Sequence, residues 1–259
     1  MPSLSNIKGN ATATSAALRR GFERRFGNER VVYVPKPGSK KLLIVFSFLD
    51  FTTYHRLRVL RQDQRMNLLF VRDTSNNFYC CNGKDEVYRR IFERFRRDFE
   101  PHDITTYGVS MGGNGAIFHA LELGANAVAI NPIVDWRASV KLTDHDALKQ
   151  RLLAIGRDAF VNLPDRLRGR VSPSVIHCQF NRDDMGIRNA KALSSVSPSY
   201  GTVVYEISNA PIHMAPDEVL HPKGIYDRVA LTAKLRRIRV PLLVYESVDG
   251  EITMKKVRV

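Results

Sequence analysis

Ser110 lies between two glycines, in Gly108-Val109-Ser110-Met111-Gly112, and downstream come an aspartate pair, Asp183-Asp184, and a histidine, His213. These residue types are the parts of nucleophilic acyl transfer: a hydroxyl that attacks, an imidazole that takes its proton, and a carboxylate that orients the imidazolium. A serine hydroxyl is a poor nucleophile by itself, so the chemistry requires the three groups to meet in space. Glycines two positions either side of Ser110 let a strand and a helix pack closely, which holds the serine on a sharp turn with its hydroxyl exposed. The pentapeptide alone arises by chance in roughly one chain in ten of this length at average glycine and serine usage. Its surroundings decide its meaning.

Those surroundings fit. Ile104 to Val109 reads as the strand entering the turn, and Met111 to Leu123 as the helix leaving it, ended by Gly124. At the start of that helix the Met111 backbone N–H would face a developing oxyanion. The longer run Gly108-Val109-Ser110-Met111-Gly112-Gly113-Asn114-Gly115-Ala116 resembles the G-x-S-M-G-G-x-G-A elbow of the esterase D and mycolyltransferase-like branches of the α/β-hydrolase superfamily. The likeness in element order extends from about Lys41 to Met214.

The resemblance implies the chain order serine, acid, histidine. His213 follows the strand Thr202 to Ile207 and fits as the base; His55, after an earlier strand, is the alternative. His102 should lie at the opposite sheet edge, His119 sits about 13 Å along the elbow helix, and His177 falls inside a strand as a core histidine. His145 and His221 lie in helical regions. The acid should follow the strand Ser174 to Phe180, where spacing leaves Asp183 and Asp184 both open, with Asp183 at the more usual distance and Asp135 as a third candidate. Whichever aspartate is outside the triad reads as a helix cap. A second oxyanion donor should come from the loop after Leu42 to Phe46, from Phe48 or Leu49. That loop departs from the superfamily's glycine-rich version, so the hole is completed by a backbone N–H there or is poorly formed.

Near the same edge, Arg72 could pair with an anionic substrate group and Tyr79 could stack on a sugar or aromatic ring. The competing reading is an Asp/Asn-rich turn with Arg72 and Asp73 paired to each other. Trp136, the one tryptophan, is a candidate pocket wall or a packing residue.

The elements that must position these groups alternate. Strands are expected at Val31 to Val34, Lys41 to Phe48, Asn67 to Arg72, Ile104 to Val109, Ala127 to Ile133, Ser174 to Phe180 and Thr202 to Ile207. Helices are expected at Thr14 to Phe26, Glu86 to Phe99, Met111 to Leu123, Ala190 to Ser195 and Ile225 to Arg237. Such alternation predicts an α/β fold, a mostly parallel sheet with helices on both faces, in a single domain spanning 1–259. Residues 135–170 read as a helical cap insertion within it. Val248-Asp249-Gly250 signals a C-terminal β-hairpin between Val240 to Ser247 and Glu251 to Val259.

Composition narrows the partners. The 259 residues include 44% hydrophobic types, enough for one sizeable core, and carry a formal charge of +14 from dispersed lysines and arginines. That charge favours anionic partners without any recognisable nucleic-acid motif. No run approaches the roughly 18 apolar residues of a membrane span, and the first residues lack a signal peptide's pattern, so a cytoplasmic location is expected. Cys80, Cys81 and Cys178 read as reduced thiols. No spacing supports a metal site, and the proposed chemistry needs no cofactor. The sequence thus predicts a serine-dependent acyl hydrolase or acyltransferase acting on a small-molecule or glycan ester. The alternative is a non-catalytic protein of the same fold that binds an anionic glycan, lipid or nucleic acid.

Overall fold

The apolar runs between residues 42 and 208 become strands of one sheet. The computed structural model describes residues 23–50, 52–168, 170–196, 200–208, 221–238, 242–248 and 251–257. Among them ten strands form a single sheet in the order β1-β2-β4-β3-β5-β6-β7-β8-β9-β10. The strands are β1 (Glu23–Phe26), β2 (Glu29–Val34), β3 (Leu42–Phe46), β4 (Asn67–Arg72), β5 (Ile104–Val109), β6 (Asn126–Ile130), β7 (Val171–Asn181), β8 (Tyr200–Ser208), β9 (Leu242–Val248) and β10 (Glu251–Val257). β4 to β9 pair in parallel with their neighbours, whereas β1 with β2, β2 with β4 and β9 with β10 are antiparallel.

The parallel core is buried on both faces. In β3, Leu42, Ile44 and Phe46 enter one apolar cluster while Leu43 and Val45 enter another, and all five are fully buried. Strand alternation sends successive side chains to opposite faces, so a continuous apolar run requires cover on both. Burial of each such side chain contributes about 1.5–3 kcal/mol. One face is covered by α2 (Lys84–Phe95) and α3 (Met111–Leu123), the other by α1 (Leu57–Gln62) and α8 (Pro222–Ile238).

α2 presents Tyr88, Ile91, Phe92 and Phe95 to the core, with Arg89 and Arg90 in exposed ion pairs with Glu86 and Glu93. Residues 135–170 hold α4 (Trp136–Leu142), α5 (Asp146–Ile155) and α6 (Leu163–Leu167). Their Leu148, Leu152, Ile155, Leu163 and Leu167 join the cluster of α2 and α3. α7 (Asp184–Ser194) follows β7.

One expectation is overturned at the start. Glu23–Phe26, placed in an opening helix, is a strand that pairs antiparallel with β2 and stands at the edge of the sheet among the described residues. Gly27, at φ 59°, occupies the first position of the two-residue turn, where a type II′ hairpin needs a positive φ. Smaller shifts are a β6 that ends at Ile130 rather than Ile133 and an α7 that begins at Asp184 rather than near Ala190. The C-terminal hairpin pairs as expected.

Candidate active site

Ser110 sits between the last residue of β5 and the first of α3 with φ 53° and ψ −117°. A positive φ on a non-glycine residue is a strained conformation that persists only where the surroundings enforce it. Here the enforcement is visible. The Ser110 N–H donates to the Ile130 carbonyl of β6 at 2.9 Å, and its own carbonyl accepts from Asn114 N–H at 3.2 Å. Gly108 and Gly112 make the turn sterically feasible: a Cβ on Gly108 would collide with the Gly112 carbonyl, and one on Gly112 would stand 2.8 Å from the Phe46 and Ser47 carbonyl oxygens. Met111 opens α3 with its side chain buried, so its N–H belongs to the positive end of the helix.

The loop after β3 lies beside this elbow. It is fastened chiefly by Ser47, whose N–H donates to Val71 O at 3.2 Å and whose Oγ accepts from His55 N–H at 3.1 Å. Ser47 Oγ also donates to Thr53 O at 3.4 Å, and Ser47 O accepts from the Tyr79 hydroxyl at 2.7 Å. Asp50 takes φ 55° and exchanges hydrogen bonds with Asn76, 3.2 Å from its N–H and 2.7 Å to its carboxylate. Side-chain anchors thus hold a tight loop that has no glycine. Phe48 and Leu49 are half-buried within it, and the Phe48 ring meets His55 edge-on at 5.3 Å.

The sheet register brings the acid candidates to the same edge. Val109 pairs with Ile130 and Ile130 with Gln179, so Ser110, Asn131 and the end of β7 lie on adjacent strands. Two strand spacings separate Ser110 from Asn181, about 10 Å. Asn131, itself at φ 44°, accepts from Asn181 N–H at 2.8 Å and so ties β6 to β7 just before the aspartates. Asp183 is the N-cap of α7: its Oδ1 accepts from Gly186 N–H at 2.9 Å. Burial raises its pKa, with the cap hydrogen bond opposing and the charges of Asp144 and Asp184 adding to the rise. Asp184 is exposed as the first residue of α7. Asp135 caps α4 through Ala138 N–H at 2.7 Å. His213 lies outside the described residues.

The other histidines take structural places. His55 is buried and stacks on Tyr107 at 5.9 Å; burial, aided by Arg56, pushes its pKa down to about 3. His119 packs between Phe46 and Phe92 and donates from Nε2 to Tyr79 O at 3.0 Å, its pKa lowered by burial to about 4. His177 donates to Glu206 at 3.2 Å inside the sheet, as a core histidine should.

Of the three substrate-contact candidates, Tyr79 is corrected: its side chain is fully buried and its hydroxyl engaged by Ser47 O, so no ring face is offered to a ligand. Arg72 donates to Thr52 O and stacks its guanidinium 5.8 Å from the Tyr54 ring. It does not pair with Asp73. That carboxylate is buried and accepts from the N–H groups of Ser75, Asn77 and Tyr79 at 3.1, 2.5 and 3.0 Å, shaping the turn between β4 and α2. Trp136 is half-buried and donates from Nε1 to Leu152 O at 2.9 Å, joining α4 to α5.

Sequence reading missed Arg151 as well as Asn131. From α5 it donates to the carbonyls of Ser75 and Asn76 and to the Asn77 side chain, clamping the turn next to the elbow. Because its partners lie more than seventy positions earlier in the chain, no local pattern marks it. Among the described residues no group of His, Cys, Asp or Glu is arranged to hold a metal ion, and no helix is long and apolar enough to cross a membrane.

No protein-family model matches the sequence, and no curated protein matches it significantly. Solved structures do match. The capsule O-acetyltransferase of Neisseria meningitidis serogroup A is similar over 83% of this chain and 99% of its own, at TM-score 0.63 and 15% identity. It is also known in a complex with CoA, where the TM-score is 0.59. Thermogutta terrifontis esterase 2 is similar over 82% of this chain and 90% of its own, at TM-score 0.52 and 17% identity. Pyrococcus horikoshii acylaminoacyl peptidase is similar over 85% of this chain and 41% of its own, at TM-score 0.54 and 11% identity. Strand order, the strained serine between β5 and α3, and these neighbours lead to one conclusion: the chain has the α/β-hydrolase fold.

Proposed function

We propose that this chain is a serine-dependent acyltransferase or acyl hydrolase working through an acyl-serine. The observation that carries the reading is the backbone of Ser110, held at φ 53° and ψ −117° between β5 and α3. Such strain in a non-glycine residue has a purpose where it presents a nucleophile. In the proposed reaction Ser110 Oγ forms a bond to the acyl carbon while His213 takes the hydroxyl proton. The ester or thioester bond then breaks, and the proton passes from His213 to the departing oxygen or sulfur. Water or an acceptor hydroxyl repeats the sequence in reverse and frees the serine.

Asp183 is the proposed acid even though it is also the cap of α7, against the expectation that the capping aspartate stands outside the triad, because it is half-buried beside the edge whereas Asp184 faces solvent. Its second carboxylate oxygen would receive the imidazole N–H. Met111 N–H and an N–H of Phe48 or Leu49 would stabilise the oxyanion, each such donor contributing on the order of 3 kcal/mol. Residues 135–170 would wall the pocket, with Arg151 fixing the neighbouring turn. The CoA complex of the capsule O-acetyltransferase supports an acyl thioester as donor and a glycan hydroxyl as acceptor. A net charge of +14 suits an acidic acceptor, and the cytoplasm, where acyl thioesters are made, suits the donor.

Release of free thiol from acetyl-CoA and of nitrophenol from 4-nitrophenyl acetate tests the reading. Both activities should vanish in Ser110→Ala and His213→Ala. Undiminished turnover in either variant refutes it. No turnover at all, with salt-sensitive polyanion binding, is the behaviour of a chain that keeps the fold without the chemistry.

A further inference from the structure

A cavity of about 310 Å³ opens at the amino edge of the sheet, opposite the elbow, between the starts of β3, β4 and β5 and the last turns of α8. Five residue steps along β5 separate its Thr105 from Ser110, about 16 Å of extended strand. It is therefore distinct from the acyl-transfer site. Its volume is at the lower end for small-molecule pockets.

Its lining is part charged and part apolar. Lys41, Arg236 and Arg237 line it together with Asp103, which lies 3.6 Å from the His102 imidazole, and Met66, Val229 and Ala233 supply apolar surface. Among the lining residues the cations Lys41, Arg236 and Arg237 outnumber the one carboxylate, Asp103. Lys41 and Arg237 form no ion pair among the described residues. Cations in the last turn of α8 complement its dipole, but Lys41 and His102 belong to other elements and that argument does not reach them.

The basic wall is also built. Asn126 is fully buried; its Oδ1 accepts from Arg236 Nη1 at 3.2 Å and its Nδ2 donates to His102 O at 3.4 Å. Arg236 Nη1 donates further to Gly124 O at 2.8 Å, at the end of α3. One buried amide thereby fixes an arginine and the His102 backbone, both in the lining, which lowers the cost of ordering them around a ligand.

We propose that this cavity is a second ligand site, and that it binds a phosphate monoester carried on a small apolar or aromatic body. A phosphate monoester has a charge near −2 at neutral pH, which suits a lining where cations outnumber carboxylates, and arginine forks match its oxygens. The apolar lining takes the body that carries it.

Phenyl phosphate is the probe, titrated by calorimetry against wild type, Lys41→Ala/Arg237→Ala and Ser110→Ala. Both substituted cavity positions are exposed, so the fold should persist, and circular dichroism checks it. Expected are binding to wild type and Ser110→Ala alike, at least roughly tenfold weaker binding to the double variant as charge-assisted hydrogen bonds are lost, and weaker binding of inorganic phosphate and of benzoate. No phenyl phosphate binding, or equal binding by the double variant, overturns the proposal, as does binding lost in Ser110→Ala. Vesicles containing phosphatidic acid separate the sources: capture that needs Lys41 and Arg237 assigns the phosphate to a lipid, and its absence beside phenyl phosphate binding assigns it to a soluble ligand. The outcome is independent of whether Ser110 acts as a nucleophile.

Discussion

Gly112→Ala tests the packing on which the elbow depends. The added Cβ would stand 2.8 Å from the carbonyl oxygens of Phe46 and Ser47, and both are backbone atoms that cannot rotate away. Restoring ordinary contact requires α3 to move from β3 by about half an ångström. Overpacking of this kind costs about 1–3 kcal/mol. Alanine in place of glycine within a helix returns up to about 1 kcal/mol, less at the second residue of α3, where helical constraint is weakest. The net is a loss of about 1–2 kcal/mol, or a fall in Tm of about 2–8 °C for a chain of this size. The same movement separates Ser110 and Met111 from the Ser47 loop. A 1 Å misplacement costs about a hundredfold in rate, so half that displacement should lower kcat/KM about tenfold. Thermal unfolding and 4-nitrophenyl acetate turnover measure the two effects. A Tm equal to or above wild type, with full activity, would refute the packing argument.

Three further outcomes follow from the geometry. Asp183→Asn keeps a good helix cap and should leave Tm nearly unchanged while lowering kcat/KM by about 10⁴; Asp184→Asn should leave both unchanged, and equal losses in the two variants reject the assignment of the acid. Tyr79→Phe should destabilise by about 1 kcal/mol by freeing the Ser47 carbonyl, and a Tm equal to wild type would contradict that role for the hydroxyl. Glu206, on β8, is gripped in two places by Arg228 and accepts from His177, whose pKa burial lowers. Burial alone would raise its pKa, but these partners hold it down to about 2. A folded pKa below the unfolded value makes the stabilisation complete above about pH 5 and lost progressively as pH falls. Glu206→Gln, which takes the carboxylate from the half-buried Arg228 at a cost of up to about 3 kcal/mol, should therefore approach wild-type Tm as pH falls from 5 toward 2; a constant gap contradicts this.

The core strands and the elbow helix were legible because their residues answer to local rules. β4, β5 and α3 begin and end where the apolar run, the Gly108–Gly112 pair and Gly124 place them. β1 was misread because Arg19 to Phe26 carries helical spacing, while its state is decided by pairing with β2 and by the Gly27-Asn28 turn. At the site, Ser110 was legible from chain-local geometry. Tyr79 was not, since an aromatic in an Asn-rich loop reads as exposed until Ser47 and α3 close over it. Asn131 and Arg151 act across strands and helices far apart in sequence, where no spacing rule applies.

The central claim is that Ser110 is the nucleophile. Treatment with a fluorophosphonate, followed by intact mass and peptide mapping, tests it most directly. The account predicts one adduct, on Ser110, that is absent from Ser110→Ala and slowed in His213→Ala. An unmodified wild type, or an adduct on another residue that persists in Ser110→Ala, would contradict it.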